Sequence, residues 1–192
     1  MTENNLINQL KFKNKYRIES ARLKGYNYSS AGAYFITICT KNKECFFGDV
    51  VNKKMEYSKI GEMANRFWLE IKNLHNFIVL DEWIVMPNHV HGILFIKNDD
   101  SNSTHPVVET YHWHVSTFGK MTKRSISIII NHYKGILKKW CNKNGHGNFN
   151  WQPRFHDRII RDELELNNER QYILNNPANW EKDRNNKENL YM

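Results

Sequence analysis

The sequence predicts an α+β fold of the ferredoxin-like βαββαβ type, with an antiparallel sheet, helices on one face and one further helix at the C-terminus. Three observations predict it. Short runs rich in β-branched and aromatic residues are typical of strands, and longer runs with an apolar residue every three or four positions are typical of helices. Along the 192 residues these segments follow the order strand, helix, strand, strand, helix, strand, helix.

The first half of the chain supplies a strand, a helix and a tight strand pair. Residues 33–41 (AYFITICTK) form the first predicted strand, and a short hairpin is expected around the turn Gly48-Asp49. Residues 58–74 carry an apolar stripe that predicts a helix. Residues 77–96 predict two strands joined at the sequence Met-Pro-Asn, because Pro-Asn is favourable turn chemistry.

The second half completes the pattern. Residues 125–142 predict a helix whose stripe includes Tyr133, and residues 150–160 predict a strand. Asp162 and Glu165 resemble a capping box that opens the last helix. That helix is expected to reach residue 176 and to stop before a proline. We therefore expect a basic arm over 1–30, one catalytic domain over 31–180 and a charged tail over 181–192.

The composition limits the class of binding partner and the cellular compartment that we expect. A formal net charge of +8 favours a polyanionic partner such as nucleic acid. Three cysteines without a CxxC pair predict neither a disulfide framework nor a cysteine zinc site, which fits a reducing compartment. No run approaches the ~20 apolar residues of a membrane helix, and the N-terminus lacks a signal-peptide core. We expect a cytoplasmic, nucleoid-associated protein with no membrane contact.

The candidate chemistry starts at His89 and His91. Side chains two apart on a strand project from the same face, so the two imidazoles are expected side by side, where they can bind one divalent cation. Histidines that merely pack or face solvent would show the same spacing. The position of the pair after a turn, at the mouth of an apolar strand, favours a metal site.

The last helix offers the remaining groups. Tyr172 and Asn176 are four residues apart and share a helix face, with Tyr172 off the apolar stripe. An Asn176 side-chain oxygen would complete a site of two histidines and one amide, although Pro177 disfavours a helical Asn176. Beside a cation, the Tyr172 oxygen could attack a phosphodiester and form a 5′-phosphotyrosine with a free 3′-OH.

Four stretches together resemble the single-tyrosine HUH transposases, and most closely their REP-associated tyrosine transposase branch. The resemblance implies that His89 and His91 bind the metal, that Tyr172 is the nucleophile and that Asn176 is the third ligand. It implies Mg²⁺ or Mn²⁺ as cofactor, single-stranded DNA beside imperfect hairpins as substrate, and either a monomer or a homodimer. The stretches are MPNHVHGIL (86–94), YFITICTKNKECFFG (34–48), WQPRFHDRIIRDELEL (151–166) and QYILNNPANW (171–180).

Six further side chains are candidates for DNA contacts. The arginines could reach phosphates or form a solvated basic edge, and the tryptophan could stack on a base or pack in the core. The two lysines share one helix face, which would be turned either to solvent or to DNA. The six are Arg154, Arg158, Arg161, Trp151, Lys134 and Lys138.

Three other functions remain compatible with these residues. A relative of the same fold could bind DNA hairpins without catalysis, and a metal-dependent hydrolase could use water as its nucleophile. RNA binding is the third. A second His-x-His pair, His112 and His114, lies in a predicted loop and is assigned no role.

Overall fold

The structure, a computed structural model, describes residues 26–97, 124–186 and 189. Most of the predicted basic arm, as well as His112 and His114, lies outside the described residues. The helices are α1 (Lys59–Leu74), α2 (Ile126–Lys143) and α3 (Glu163–Asn175), with short 3-10 helices at Lys41–Lys43 and Pro177–Lys182. The strands are β1 (Gly32–Cys39), β2 (Gly48–Val51), β3 (Lys54–Tyr57), β4 (Ile78–Met86), β5 (His89–Ile96) and β6 (His156–Ile160).

The main sheet has the order β4-β5-β1-β6, and every neighbouring pair is antiparallel. With the separate β2–β3 hairpin set aside, this is the strand order of the ferredoxin-like arrangement, and the predicted fold class is confirmed. The predicted start of the last helix at Asp162 is also confirmed, and the first helix has a cap as well. Ser58 caps α1 by accepting from Gly61 N–H, and Asp162 caps α3 by accepting from Glu165 N–H at 2.7 Å.

The two faces of the sheet carry different helices, because side chains alternate along each strand. One face packs against α1 and α2, and the largest fully buried side chains of that core are Trp68, Tyr34 and Tyr133. The opposite face packs against α3 through Leu166 and Ile173. The helix that carries Tyr172 therefore covers the face that holds the histidine pair. Within the described ranges, no helix is both long enough and apolar enough to cross a bilayer.

A bidentate ion pair between Arg170 and Asp81 holds α3 on the sheet. Arg170 donates from Nε to Asp81 Oδ1 at 2.8 Å and from Nη2 to Asp81 Oδ2 at 2.7 Å. Asp81 lies at an irregularity in β4, where the register shifts between Leu80 and Trp83. A bulge of this kind redirects a side chain, and here it presents the carboxylate to the passing helix.

Replacing Arg170 with alanine should loosen α3 and leave the rest of the fold in place, because the change removes the two charge-assisted hydrogen bonds to Asp81. Hydrogen exchange of the α3 amides should speed up relative to those of α2. Lys59→Ala, which removes an exposed ion pair to Glu62, is the matched control and should leave exchange in α3 unchanged. Equal exchange in wild type and Arg170→Ala would show that the pair does not hold the helix.

The predicted hairpin turn at Gly48-Asp49 is wrong. The hairpin instead turns at Asn52 and Lys53, whose φ angles of 50° and 60° are the left-handed values that two-residue hairpin turns require. Gly48 begins β2 with a φ of 126°, and a Cβ there would lie 2.0 Å from the Glu56 carbonyl oxygen. The glycine thus serves a close backbone approach and not the turn.

The predicted strand over 150–160 is shorter in the structure. Only His156–Ile160 joins the sheet, while Trp151 makes a single bridge to Thr40. Between them Arg154 has a φ of 66°, which breaks the extended run.

The segment after α3 is packed onto the domain. Asn176 keeps helical angles (φ −58°, ψ −44°). Pro177 follows in the first turn of the 3-10 helix, where proline is tolerated. The expected distortion at Asn176 is therefore absent. Residues 181–186, which the sequence analysis assigned to the charged tail, include the buried side chains of Asp183, Asn185 and Asn186.

Candidate metal and nucleophile site

The histidine pair projects from β5 toward α3. His89 and His91 are fully buried, and their ring centroids are 4.4 Å apart. They share a face of the strand, as their spacing predicts, and lie opposite Cys39 and Thr37 of β1. The imidazoles are therefore brought together by strand geometry alone.

Tyr172 approaches the pair from α3. Its hydroxyl oxygen is 3.4 Å from His91 Nε2, and its ring meets Phe35 edge-on at a centroid distance of 6.0 Å. The opposite ring nitrogen of His91, Nδ1, is 2.9 Å from Thr37 Oγ1. Tyr172 remains 39% exposed, so an incoming strand can reach its oxygen.

Asp183 joins the site from the segment after α3. Its carboxylate and the ring nitrogens of His89 and His91 offer three ligand atoms that all lie within 4.8 Å of one another. Asn176 Nδ2 donates to Asp183 Oδ2 at 3.2 Å. Asp183 was not among the predicted site residues, because an aspartate in a charged segment carries no local signal of burial.

Two buried polar atoms of this cluster lack a hydrogen-bond partner among the described residues, namely His89 Nε2 and Asn176 Oδ1. Leaving such atoms unpaired in a protein interior costs about 1–3 kcal/mol each. Both atoms are good metal ligands, so a bound cation would satisfy them. The donor set thus fits a divalent metal, with His89, His91 and Asp183 as ligands and Asn176 beside them.

Burial sets the protonation of the site. It lowers the pKa of His89 to about 3 and brings the pKa of His91 well below its usual value, so both imidazoles are neutral at neutral pH. Neutral imidazoles bind a cation without first losing a proton. Burial, followed by the charge of Asp183, raises the pKa of Tyr172, so the phenol carries its proton in the metal-free protein.

The metal-free protein should lose stability as the pH falls below about 6.5, the ordinary pKa of histidine. Burial also lowers the pKa of His75 to about 4, so three buried histidines stay neutral when folded and gain protons when unfolded. Their stabilisation is complete above about pH 6.5 and decreases by up to about 1.4 kcal/mol per pH unit for each histidine as the pH falls.

Urea unfolding with EDTA between about pH 6.5 and 5 measures this slope. His75 is far from the metal cluster in sequence and lies on another element. His75→Leu should therefore reduce the slope of the unfolding free energy against pH by the contribution of one histidine, up to about 1.4 kcal/mol per pH unit. A free energy of unfolding that stays constant over this range would contradict the prediction.

A cleft of about 700 Å³ opens beside Tyr172 and carries cationic side chains. Arg158 lines it and pairs with Glu165 at 2.9 Å and Glu169 at 2.8 Å, yet 62% of its side chain is exposed. Lys182 and Arg184 line the same cleft. An exposed guanidinium beside the tyrosine can turn to a phosphate.

The other predicted DNA contacts lie elsewhere. Arg154 and Arg161 are exposed but are not among the residues that line the cleft. Lys134 Nζ donates to the Gln152 and Arg154 carbonyls at 2.8 and 2.7 Å. Lys138 Nζ similarly donates to the Gly147 carbonyl at 3.1 Å and to the Phe149 carbonyl.

Trp151 is part of the aromatic core. Its ring packs against Phe47, Tyr133 and Phe149, and its Nε1 donates to the Lys134 carbonyl at 3.1 Å. The structure thus shows that Trp151, Lys134 and Lys138 fasten the segment before β6 to α2. Their predicted contact with DNA stays a prediction.

Comparison with solved structures defines the class of fold. A REP-associated tyrosine transposase bound to a REP hairpin aligns with a TM-score of 0.58 at 19% identity, covering 85% of this chain and 74% of that one. The predicted relationship is thus confirmed at the level of the fold. A structure from Deinococcus radiodurans, with a TM-score of 0.43 and 18% identity, is too distant to support a conclusion.

A closer relative is found by sequence. A Haemophilus influenzae protein, described as an uncharacterized protein, is 37% identical over 164 residues, which cover 85% of this chain and 90% of that one. The chain belongs to the family of this Haemophilus protein. No protein-family profile matches the chain.

Proposed function

We propose that the protein is a metal-dependent, single-tyrosine nuclease and strand transferase that acts on single-stranded DNA beside hairpins. One observation carries the proposal. The exposed phenol of Tyr172 lies 3.4 Å from a histidine of a buried cluster whose ligand atoms lie within 4.8 Å of one another. A nucleophile that DNA can reach, beside a place for a cation, is what attack on a phosphodiester requires.

The metal would be Mg²⁺ or Mn²⁺. Carboxylate and amide oxygens suit both ions, and the two imidazoles add preference for Mn²⁺. His89, His91 and Asp183 would hold the cation, with Asn176 Oδ1 as a further ligand. When bound, the cation would polarise a non-bridging phosphate oxygen and stabilise the charge of the transition state.

The residues of the chain would carry the bond changes. Tyr172 Oη forms a bond to phosphorus as the bond from phosphorus to the 3′ oxygen breaks. The phenol proton leaves to solvent, and the departing 3′ oxygen takes up a proton from solvent. The product is a 5′-phosphotyrosine, which a second 3′-OH can attack in the reverse sense, so strands can be rejoined.

A single chain would assemble these groups. Tyr172 meets the histidines of its own chain because Arg170 and Asp81 hold α3 over β5. A homodimer, which the sequence analysis left open, is not needed to bring the tyrosine to the metal ligands. The solved transposase with this fold is bound to a REP hairpin, which supports hairpin DNA as the substrate class here.

Replacing Arg158 with alanine should weaken binding of single-stranded DNA several-fold, because one phosphate contact beside Tyr172 is lost. The slope of log affinity against log salt concentration should become shallower by about one. Arg66→Ala is the control, since Arg66 is also exposed but lies on α1 over the opposite face of the sheet. Equal losses in the two variants, measured by fluorescence anisotropy, would contradict a contact at Arg158.

A denaturing gel tests the proposed function. Purified protein is incubated with labelled single-stranded hairpin DNA from the flanks of its own gene and with Mn²⁺ or Mg²⁺. A protein–DNA band that survives denaturation supports a tyrosine nuclease. Cut DNA without such a band would favour a hydrolase, and a shift seen only in a native gel would favour a hairpin-binding protein.

A further inference from the structure

Asn88 is a fully buried residue in the turn between β4 and β5, directly before His89. Its side-chain nitrogen donates to the Lys43 carbonyl at 3.0 Å and to the Asn185 carbonyl at 2.8 Å. A carbonyl oxygen can only accept a hydrogen bond, so both contacts require the NH₂ group at this position. They therefore fix which way the Asn88 amide faces.

This orientation decides where His89 carries its proton. Asn88 Oδ1 is 2.9 Å from His89 Nδ1, and an amide oxygen only accepts. Nδ1 must therefore be protonated, which leaves the lone pair of the neutral ring on Nε2. That nitrogen makes no hydrogen bond of normal geometry within the described part of the chain, and His89 belongs to the cluster with His91 and Asp183.

His91 has different partners, namely the Thr37 hydroxyl and the backbone of Ile36. Its Nδ1 is 2.9 Å from the Thr37 hydroxyl, which can donate or accept. The two histidines therefore differ in what sets their tautomers. The Asn88 amide also bonds to the segment that carries Asp183, because Asn185 lies two residues further along the chain.

We propose that Asn88 is a positioning residue that holds His89 in the tautomer with its lone pair on Nε2, directed at the cation. The same amide also holds the segment that carries Asp183 in place, so the tautomer of His89 and the position of Asp183 depend on one side chain. The inference rests on the proposed metal site. Partners that orient a ligand histidine in this way typically contribute 10- to 100-fold in metal affinity.

The first test reads the tautomer in metal-free protein, with no DNA present. Long-range ¹H–¹⁵N spectra of histidine-labelled protein distinguish protonated from unprotonated ring nitrogens. We expect His89 to show a protonated Nδ1 and an unprotonated Nε2, and we expect Asn88→Leu to shift the proton toward Nε2. A wild-type His89 with its proton on Nε2 would overturn the proposal.

The second test measures Mn²⁺ affinity by electron paramagnetic resonance. Asn88→Leu should weaken binding about 10- to 100-fold. Asn88→Asp keeps an acceptor for His89 Nδ1 while losing both donors, so it should retain the tautomer and lose only part of the affinity, because the segment that carries Asp183 is no longer held by Asn88. If the aspartate variant, shown to be folded, bound Mn²⁺ as weakly as the leucine variant, Asn88 would act only as an anchor for the turn.

Asn65→Leu is the matched control. Asn65 Oδ1 also accepts from a partly buried ring, Trp83 Nε1 at 2.9 Å, but on the face of the sheet covered by α1. Its loss should leave Mn²⁺ affinity unchanged. Absence of Mn²⁺ binding by the wild type would contradict the proposed metal site, and the tautomer spectrum would still decide the role of Asn88.

Discussion

Tyr172→Phe should abolish the covalent protein–DNA band and leave binding of single-stranded DNA within a few-fold of the wild type. Phenylalanine keeps the ring that meets Phe35 and His91 but lacks the oxygen that must bond to phosphorus. The contact of the hydroxyl with His91 Nε2 is long, at 3.4 Å, so its removal should hardly change the free energy of unfolding. Loss of the band would then reflect chemistry and not folding.

Tyr57→Phe is the matched control for this variant. Tyr57 is 38% exposed, against 39% for Tyr172, but it lies on the β2–β3 hairpin. It should form the covalent band at the wild-type rate. A band that persists in Tyr172→Phe would mean that another nucleophile acts, and cleavage that persists without a band would indicate attack by water.

Gly92→Ala should destabilise the fold strongly. Gly92 lies on β5 between a candidate metal ligand and the apolar end of the strand, and a Cβ there would sit 2.2 Å from Cζ2 of Trp68. Trp68 is fully buried and held by Tyr133 at a centroid distance of 5.2 Å, so it has little room to yield. Overpacking of this kind typically costs about 1–3 kcal/mol and occasionally more.

Urea unfolding measures the effect, with Gly135→Ala as the control. A Cβ at Gly135 meets nothing within 4 Å, and the residue lies inside α2. Alanine is the better helix former by about 1 kcal/mol, so this variant should be neutral or slightly more stable. If Gly92→Ala were as stable as the wild type, the indole would have to be able to move away from β5.

The sequence was informative wherever the signal is local and periodic. Strand alternation placed His89 and His91 on one face, and apolar spacing found α1 and α2 to within a residue or two of their observed ends. Each of these features depends on backbone geometry that repeats every two or 3.6 residues. The resemblance to REP-associated transposases also rests on the spacing of chemical groups along the chain, and the fold agrees with it.

The sequence was less informative where a residue type serves more than one purpose. Gly48 was interpreted as a turn residue, but it allows a close approach to Glu56. The hydrogen bonds from Lys134 to the carbonyls of a neighbouring segment could not be predicted either, and its contact with DNA stays a prediction. A glycine or a lysine looks the same in the sequence in either setting, because the partner lies far away along the chain.

By itself, then, the sequence determined the α+β order of elements, the shared face of His89 and His91, and the proximity of Tyr172 and Asn176 on one helix. The tertiary structure alone brought Asp183 beside the histidines and turned the Asn88 amide toward His89. The physical reason is the range of the interactions. Periodicity acts within a single element, whereas the packing of the segment after α3 depends on hydrogen bonds to residues about a hundred positions earlier, such as that from Asn88 to Asn185 (97 residues apart).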